Sequence, residues 1–166
     1  MTEWTHKRLV RRMAQWLKGQ KGTKRMSVVV SELATRVSET PDVIGWQSGE
    51  TTAPSILIEC KVSRVDFLAD GKKWFRRYAG MGMGDIRYVA APKGLLSPEE
   101  MPEGWGLLEV DRFVRVAKEA DAMPACKGRE CVMLVSALRR LEIATAVYVV
   151  HEDTENAVLS GNGVDK

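Results

Sequence analysis

Ser55-Ile56-Leu57-Ile58-Glu59-Cys60-Lys61 decides the fold. Three aliphatic residues precede two opposite charges, so the segment reads as a buried strand whose charges arrive only at its end. Side chains alternate across a strand, which places Leu57, Glu59 and Lys61 on one face and Ile56, Ile58 and Cys60 on the other. Two neighbouring charges taken out of water are expensive unless they serve each other or a ligand. Upstream, the polar, turn-rich stretch Gln47 to Pro54 joins this strand to an extended segment, Asp42 to Gln47, which Pro41 starts. A hairpin of that length brings the Asp42 carboxylate beside Glu59, seventeen residues further on.

The reading extends outward from this hairpin. Met26 to Leu33 contains the Val28-Val29-Val30 run of another strand. Gly19 to Arg25, polar and holding two glycines, separates it from an amphipathic helix over Thr2 to Lys18. In that helix Trp4, Val10, Met13, Ala14 and Leu17 keep helical spacing, while Lys7, Arg8, Arg11, Arg12 and Lys18 fill much of the remaining circumference. Residues 63–79 resume helical character with a break at Gly71, offering Phe67, Leu68, Trp74, Phe75, Tyr78 and Ala79 to the core. Strands follow at Ile86 to Ala91, Trp105 to Val110 and, as an edge, Phe113 to Ala117. Ser97-Pro98-Glu99-Glu100 has the signature of a capping box, and Pro102 limits it to about a turn. Gly128 to Val150 supports a helix with Val132, Leu134, Val135, Leu138 and Leu141 inward, although Val147 to Val150 also suits an extended chain. This order predicts an α/β protein with a central mixed β-sheet flanked by helices. Gly80-Met81-Gly82-Met83-Gly84 follows a helix and precedes a strand, whereas a dinucleotide-binding turn follows a strand and opens a helix.

A chain of 166 residues is one domain's worth and buries roughly 70% of its unfolded surface. A single domain is expected over residues 1–151, with 152–166 a frayed polar tail. No run of apolar residues is long enough for a bilayer, and the N-terminus lacks the apolar core of a signal peptide, so no membrane association and a cytoplasmic location are expected. Cys60, Cys126 and Cys131 are odd in number, and Cys60 lies in the buried strand, which favours reduced thiols. The net charge is +3, but residues 1–25 hold eight Lys or Arg against one acid, +7 locally, leaving −4 for the remainder. Such a basic cluster attracts phosphate by counterion release; its bland counterpart is a solvated helix face.

Asp42, Glu59 and the backbone carbonyl of Cys60 make a hard oxygen set suited to Mg²⁺ or Mn²⁺, which keeps most of its waters. Such a cation lowers the pKa of a bound water and offsets charge developing on phosphoryl oxygens, and Lys61 would orient the water or stabilise the transition state. Glu32, closing the first strand, is a candidate third carboxylate for a second metal or for tuning the lysine. The bland reading of these charges is a set of surface ion pairs.

Pro41-Asp42 followed by Ile58-Glu59-Cys60-Lys61 resembles the signature of the PD-(D/E)XK nuclease superfamily. A bare Glu-x-Lys is common at ordinary composition; the apolar strand before it and the Pro-Asp at hairpin distance give it meaning. The pattern is similar to that of MmcB-like DNA-repair proteins, with Glu32 ahead of the Asp and the Glu-x-Lys strand running into Ser63, Asp66, Phe67, Asp70 and Lys72 or Lys73. The likeness covers roughly residues 1 to 111; Gly84 to Leu108 also resembles small phage-encoded proteins of the superfamily. The Gln-x-x-x-Tyr helix of RecB-type nucleases is missing, with Trp74 and Tyr78 at that spacing. The resemblance implies a restriction-endonuclease-like sandwich and a magnesium-dependent deoxyribonuclease acting through Asp42, Glu59 and Lys61.

Elsewhere the chemistry is thin. Cys126 and Cys131 have no second pair for zinc, and His6 and His151 give little support to a Ser-His-Asp arrangement. Trp46 is a core residue or a base-stacking one. DNA is the expected partner, gripped by Lys7, Arg8, Arg11 and Arg12 or by Lys72, Lys73, Arg76 and Arg77, which would position phosphates without reading sequence. A homodimer or a protein of a repair or mobile-element machine is a further candidate partner. The rival expectation is a non-catalytic nucleic-acid-binding or accessory protein that retains the fold.

Overall fold

A computed structural model of the chain describes residues 3–19, 26–36, 39–48, 54–71 and 80–140. Helix α1 (His6–Gly19) is followed by strands β1 (Val28–Ser31), β2 (Val43–Trp46) and β3 (Ile56–Cys60), then helix α2 (Arg64–Asp70). Strand β4 (Ile86–Pro92), a single 3₁₀ turn at Pro98–Glu100, strands β5 (Gly106–Val110) and β6 (Val114–Lys118) and helix α3 (Lys127–Arg140) complete it. The six strands lie in chain order in one mixed sheet: β1, β2 and β3 are antiparallel neighbours, β3, β4 and β5 run parallel, and β6 returns antiparallel. This is the α/β architecture, a mixed sheet flanked by helices, that the sequence predicts.

The two faces follow from alternation. Val43, Ile58, Cys60, Ala90, Leu108 and Val110 pack with the apolar stripe of α1, Leu9, Val10, Met13 and Leu17. On the opposite face Ile44, Leu57, Val89 and Leu107 pack with Phe67 of α2 and Met133 of α3. Every residue of β3 is buried, as befits a strand covered on both faces. Among the described residues no helix is long and apolar enough to cross a membrane.

Local chemistry explains the boundaries. Ser63 caps α2 by accepting the Asp66 N–H at 3.2 Å, and Glu100 accepts the Ser97 N–H at 2.8 Å while its carboxylate also pairs with Arg64. Gly84 has φ +82°, and a Cβ there would stand 2.5 Å from the Leu57 Cβ, so only glycine lets the chain pass this close to β3.

Helix α3 is rotated from its expected setting. Val132, Val135 and Leu138 are 41, 49 and 54% exposed, whereas Glu130 and Met133 are buried and Leu134 is half-buried. The cause is polar. Glu130 accepts from Trp46 Nε1 at 2.9 Å, Ser55 Oγ at 2.8 Å, the Gly84 N–H at 2.9 Å and Lys127 Nζ at 3.1 Å. Four donors outweigh the transfer energy of a few aliphatic groups, and the helix turns its carboxylate inward. Leu68, expected in the core, is 63% exposed on α2, which buries no residue fully. Trp74, Phe75, Tyr78, Ala79, Leu141 and the predicted tail fall outside the described residues.

Glu130→Ala strands the Gly84 amide and the Trp46 indole at once and leaves the Ser55 hydroxyl with Asp85 as its acceptor. A loss of about 3 kcal/mol in urea denaturation is expected, with a shift in tryptophan emission; a loss below about 1 kcal/mol would mean that the network does not set the helix.

Candidate functional site

The site forms where β1, β2 and β3 end together. Ser31 lies opposite Val43, and Val43 opposite Ile58, so one further step sets Glu32, Asp42 and Glu59 in a single row. The Glu32 N–H donates to the Asp42 carbonyl at 3.1 Å, which confirms the register at the first pair. Glu32 reaches this position with φ +49°, a left-handed conformation costing a non-glycine residue about 1 kcal/mol or more.

Asp42 departs from the ladder. Its Oδ2 accepts the Cys60 N–H at 2.7 Å, so the side chain takes the place of a backbone acceptor at the end of β3. Its Oδ1 lies 3.3 Å from His6 Nε2, and His6 Nδ1 lies 3.7 Å from Glu32 Oε1. One imidazole therefore bridges two of the expected site carboxylates from the first turn of α1. The sequence offered a signal for this, a histidine at the start of a helix otherwise rich in Lys and Arg, but without the register nothing tied it to Asp42.

Glu59 and Lys61 share the face that alternation assigns them. They are 2% and 5% exposed, with Lys61 Nζ 3.6 Å from Glu59 Oε2 and 3.3 Å from Asp70 Oδ1. Burial acts to lower the lysine pKa, but the carboxylates of Glu59, Asp70, Asp66 and Asp42 together raise it above its ordinary value. Lys61 is thus a fixed cation at neutral pH and not a proton acceptor. A raised folded pKa contributes stability that is complete below the unfolded lysine value near 10.4 and is lost as pH climbs through the higher folded one. Cys60 points the other way, into the α1 face. Burial first, then Asp42 and Glu59, push its thiol well above the usual range, which leaves it unreactive and offers only its backbone carbonyl to the site.

The structure thus gathers Glu32, Asp42, Glu59 and Lys61 at one end of the sheet and adds His6 and Asp70. Ser63 and Asp66 serve the α2 cap. Trp46 stands at the other end of β2 with its indole on Glu130, away from the row. Lys7, Arg8 and Arg11 are exposed on α1 and Arg12 is half-buried; Lys72, Lys73, Arg76 and Arg77 fall outside the described residues. Lys7, Arg11 and Lys18 line a groove of about 430 Å³ between α1 and the edge strand β1, with Glu32 at its wall.

Among the described residues no three His, Cys, Asp or Glu side chains are grouped to hold a metal ion. The donors on hand are two carboxylates in register and a backbone carbonyl, all hard oxygen.

Removing one partner of a buried ion pair leaves the other uncompensated. Lys61→Met should cost about 3 kcal/mol in urea denaturation, and adding Glu59→Met should restore part of it. Without such recovery the two charges are not coupled.

No family model and no curated protein matches the chain. Among solved structures it is similar to a protein of unknown function from Silicibacter pomeroyi, at 26% identity and a TM-score of 0.60 over 87% of this chain and 92% of that one.

Proposed function

We propose that the protein is a metal-dependent nuclease of the PD-(D/E)XK type, hydrolysing DNA phosphodiester bonds. The observation that carries this reading is the pairing of a buried Glu59–Lys61 couple with Asp42 at the end of the same strand row. When bound by Asp42, Glu59 and the Cys60 carbonyl, Mg²⁺ or Mn²⁺ supplies Lewis-acid stabilisation and a water of lowered pKa. Lys61, held charged by Glu59 and Asp70, places a positive end where negative charge builds on the phosphoryl oxygens. Asp42 keeps Oδ2 on the Cys60 amide, which leaves Oδ1 beside His6 as its outward oxygen. Glu32 and His6 form the outer edge of the row, where they orient Asp42.

A second reading rests on the same distances. His6 already stands against Asp42, and Asp70 against Lys61, so these charges partly satisfy one another within the chain. A non-catalytic nucleic-acid-binding or accessory protein would keep these pairs as structure alone.

Supercoiled, linear, branched and single-stranded DNA incubated with Mg²⁺ or Mn²⁺ separates the two. Cleavage should appear, vanish with a chelator, and fall by about a hundredfold or more in Asp42→Asn and Glu59→Gln variants, whose folding circular dichroism can verify. Binding without cleavage under either metal gives the protein to the second reading.

The phosphate grip has its own test. Charge reversal at Arg11 and Arg12 should weaken DNA binding and reduce the slope of log K against log salt by roughly one per lost contact. An unchanged slope would remove the α1 surface from the interface.

A further inference from the structure

The basic residues of α1 do not form one surface. Lys7, Arg11 and Lys18 face the groove over β1, whereas Arg8 faces a different one, of about 530 Å³, with Trp4, Pro92, Lys93, Val110, Asp111 and Arg112. This second groove lies just past the carboxyl ends of β4 and β5, where open parallel sheets collect ligands. Cys60 is level with Ala90, so Pro92 stands two residues further along and one strand over, about 8 Å from the backbone of Cys60.

One cation–aromatic pair lines it, and a second reaches from its wall at Arg112 to Phe113 just outside. The Arg8 guanidinium lies 4.7 Å from the centre of the Trp4 ring, and the Arg112 guanidinium 5.5 Å from that of Phe113. Trp4 is half-buried against the core, so its ring is anchored. Arg112 and Phe113 form the tip of the β5–β6 turn, and that tip is tied. The Phe113 N–H donates to Asp111 Oδ1 at 2.8 Å and the Asp111 N–H to the Phe113 carbonyl at 3.0 Å. Lys93 stands over the same turn, 3.9 Å from Asp111 Oδ2. Phe113 is nevertheless 67% exposed. Phe113 is thus a large ring held in water by a braced turn, beside Arg112 at the edge of a groove that also carries Arg8 and Lys93.

We infer that Trp4, Arg8, Lys93, Arg112 and Phe113 form a binding site for single-stranded nucleic acid, with bases stacking on the two aromatic–arginine pairs and phosphates running along the cations. The ligand class rests on the proposed function, but the site needs no cleavage. Single strands fit where duplex does not, because an exposed ring and a guanidinium plane need a base face that a duplex already spends on its neighbours. Asp111 sits in the groove as the brace of the turn and the counter-charge of Lys93; it lowers the positive potential without removing it.

The test is fluorescence anisotropy with labelled oligothymidylate and with a duplex of the same length, in a chelator so that no metal acts. Phe113→Ala should weaken the single strand about tenfold, Arg112→Ala together with it should weaken it further, and the duplex should change less than about twofold. Unchanged oligothymidylate affinity in the double variant overturns the site, as does an equal loss for both probes, which would mean bulk attraction without stacking. A wild-type chain that binds neither probe overturns it too. Absence of cleavage by the wild-type chain under Mg²⁺ or Mn²⁺, with this binding pattern intact, counts against the nuclease reading alone. Phe113 and Arg112 contribute nothing to the core, and folding is therefore not at stake in the variants.

Discussion

A lysine ammonium at 5% exposure is the constraint around which this end of the sheet is organised. Taking that charge out of water costs several kcal/mol after relaxation. It remains charged only because carboxylates converge on it from two elements, Glu59 on its own strand and Asp70 at the end of α2. The position of α2 follows in part from this demand. That helix buries no residue fully, and besides the packing of Phe67 it is held by polar contacts, Arg64 on Glu100 and Asp70 on Lys61. Apolar packing builds the two cores, while charge sets the geometry at their rim.

Asp42 does a second job at the same rim. Pro41 and Asp42 lie just before β2 begins, where the antiparallel ladder with β3 runs out, and the carboxylate supplies the acceptor that the Cys60 N–H would otherwise lack. Its other oxygen meets His6 and so joins the start of α1 to the sheet. One side chain thereby fixes the relative setting of a helix and two strands. The same anchoring restricts its chemistry: Oδ2 is committed to the backbone, and Oδ1 already meets His6.

Much of this was legible in the sequence because it depends on short-range rules. Period-two alternation gave the shared face of Leu57, Glu59 and Lys61, the polar Gln47 to Pro54 stretch gave the hairpin, and Ser97 to Glu100 gave its capped turn. The features that escaped depend on long-range pairing. Helix α3 shows an aliphatic stripe that reads as inward, yet its setting is decided by Glu130, whose partners Trp46, Ser55 and Gly84 lie 46 to 84 positions away in the chain. His6 looked like one polar residue on a basic helix until the register placed Glu32 and Asp42 on either side of it. The turn at Asp111 to Phe113 read only as a junction between strands; its brace by Lys93 exists because β4 and β5 end together.

The catalytic and the purely binding interpretations share every basic surface, so those surfaces do not distinguish them. The rim bears on them differently. Replacing a buried ion pair by well-packed apolar residues is commonly neutral or stabilising, so folding alone does not call for an ammonium and a carboxylate inside the sheet. Nor does it call for Glu32 in a left-handed conformation, since glycine would relieve that strain. Costs of this kind concentrate where charge must be held in place for a purpose other than folding. Two such costs meet along one strand row here, beside a hard oxygen set and flanked by cations. On the proposed reading, that coincidence is where the chain would support chemistry on a phosphate ester.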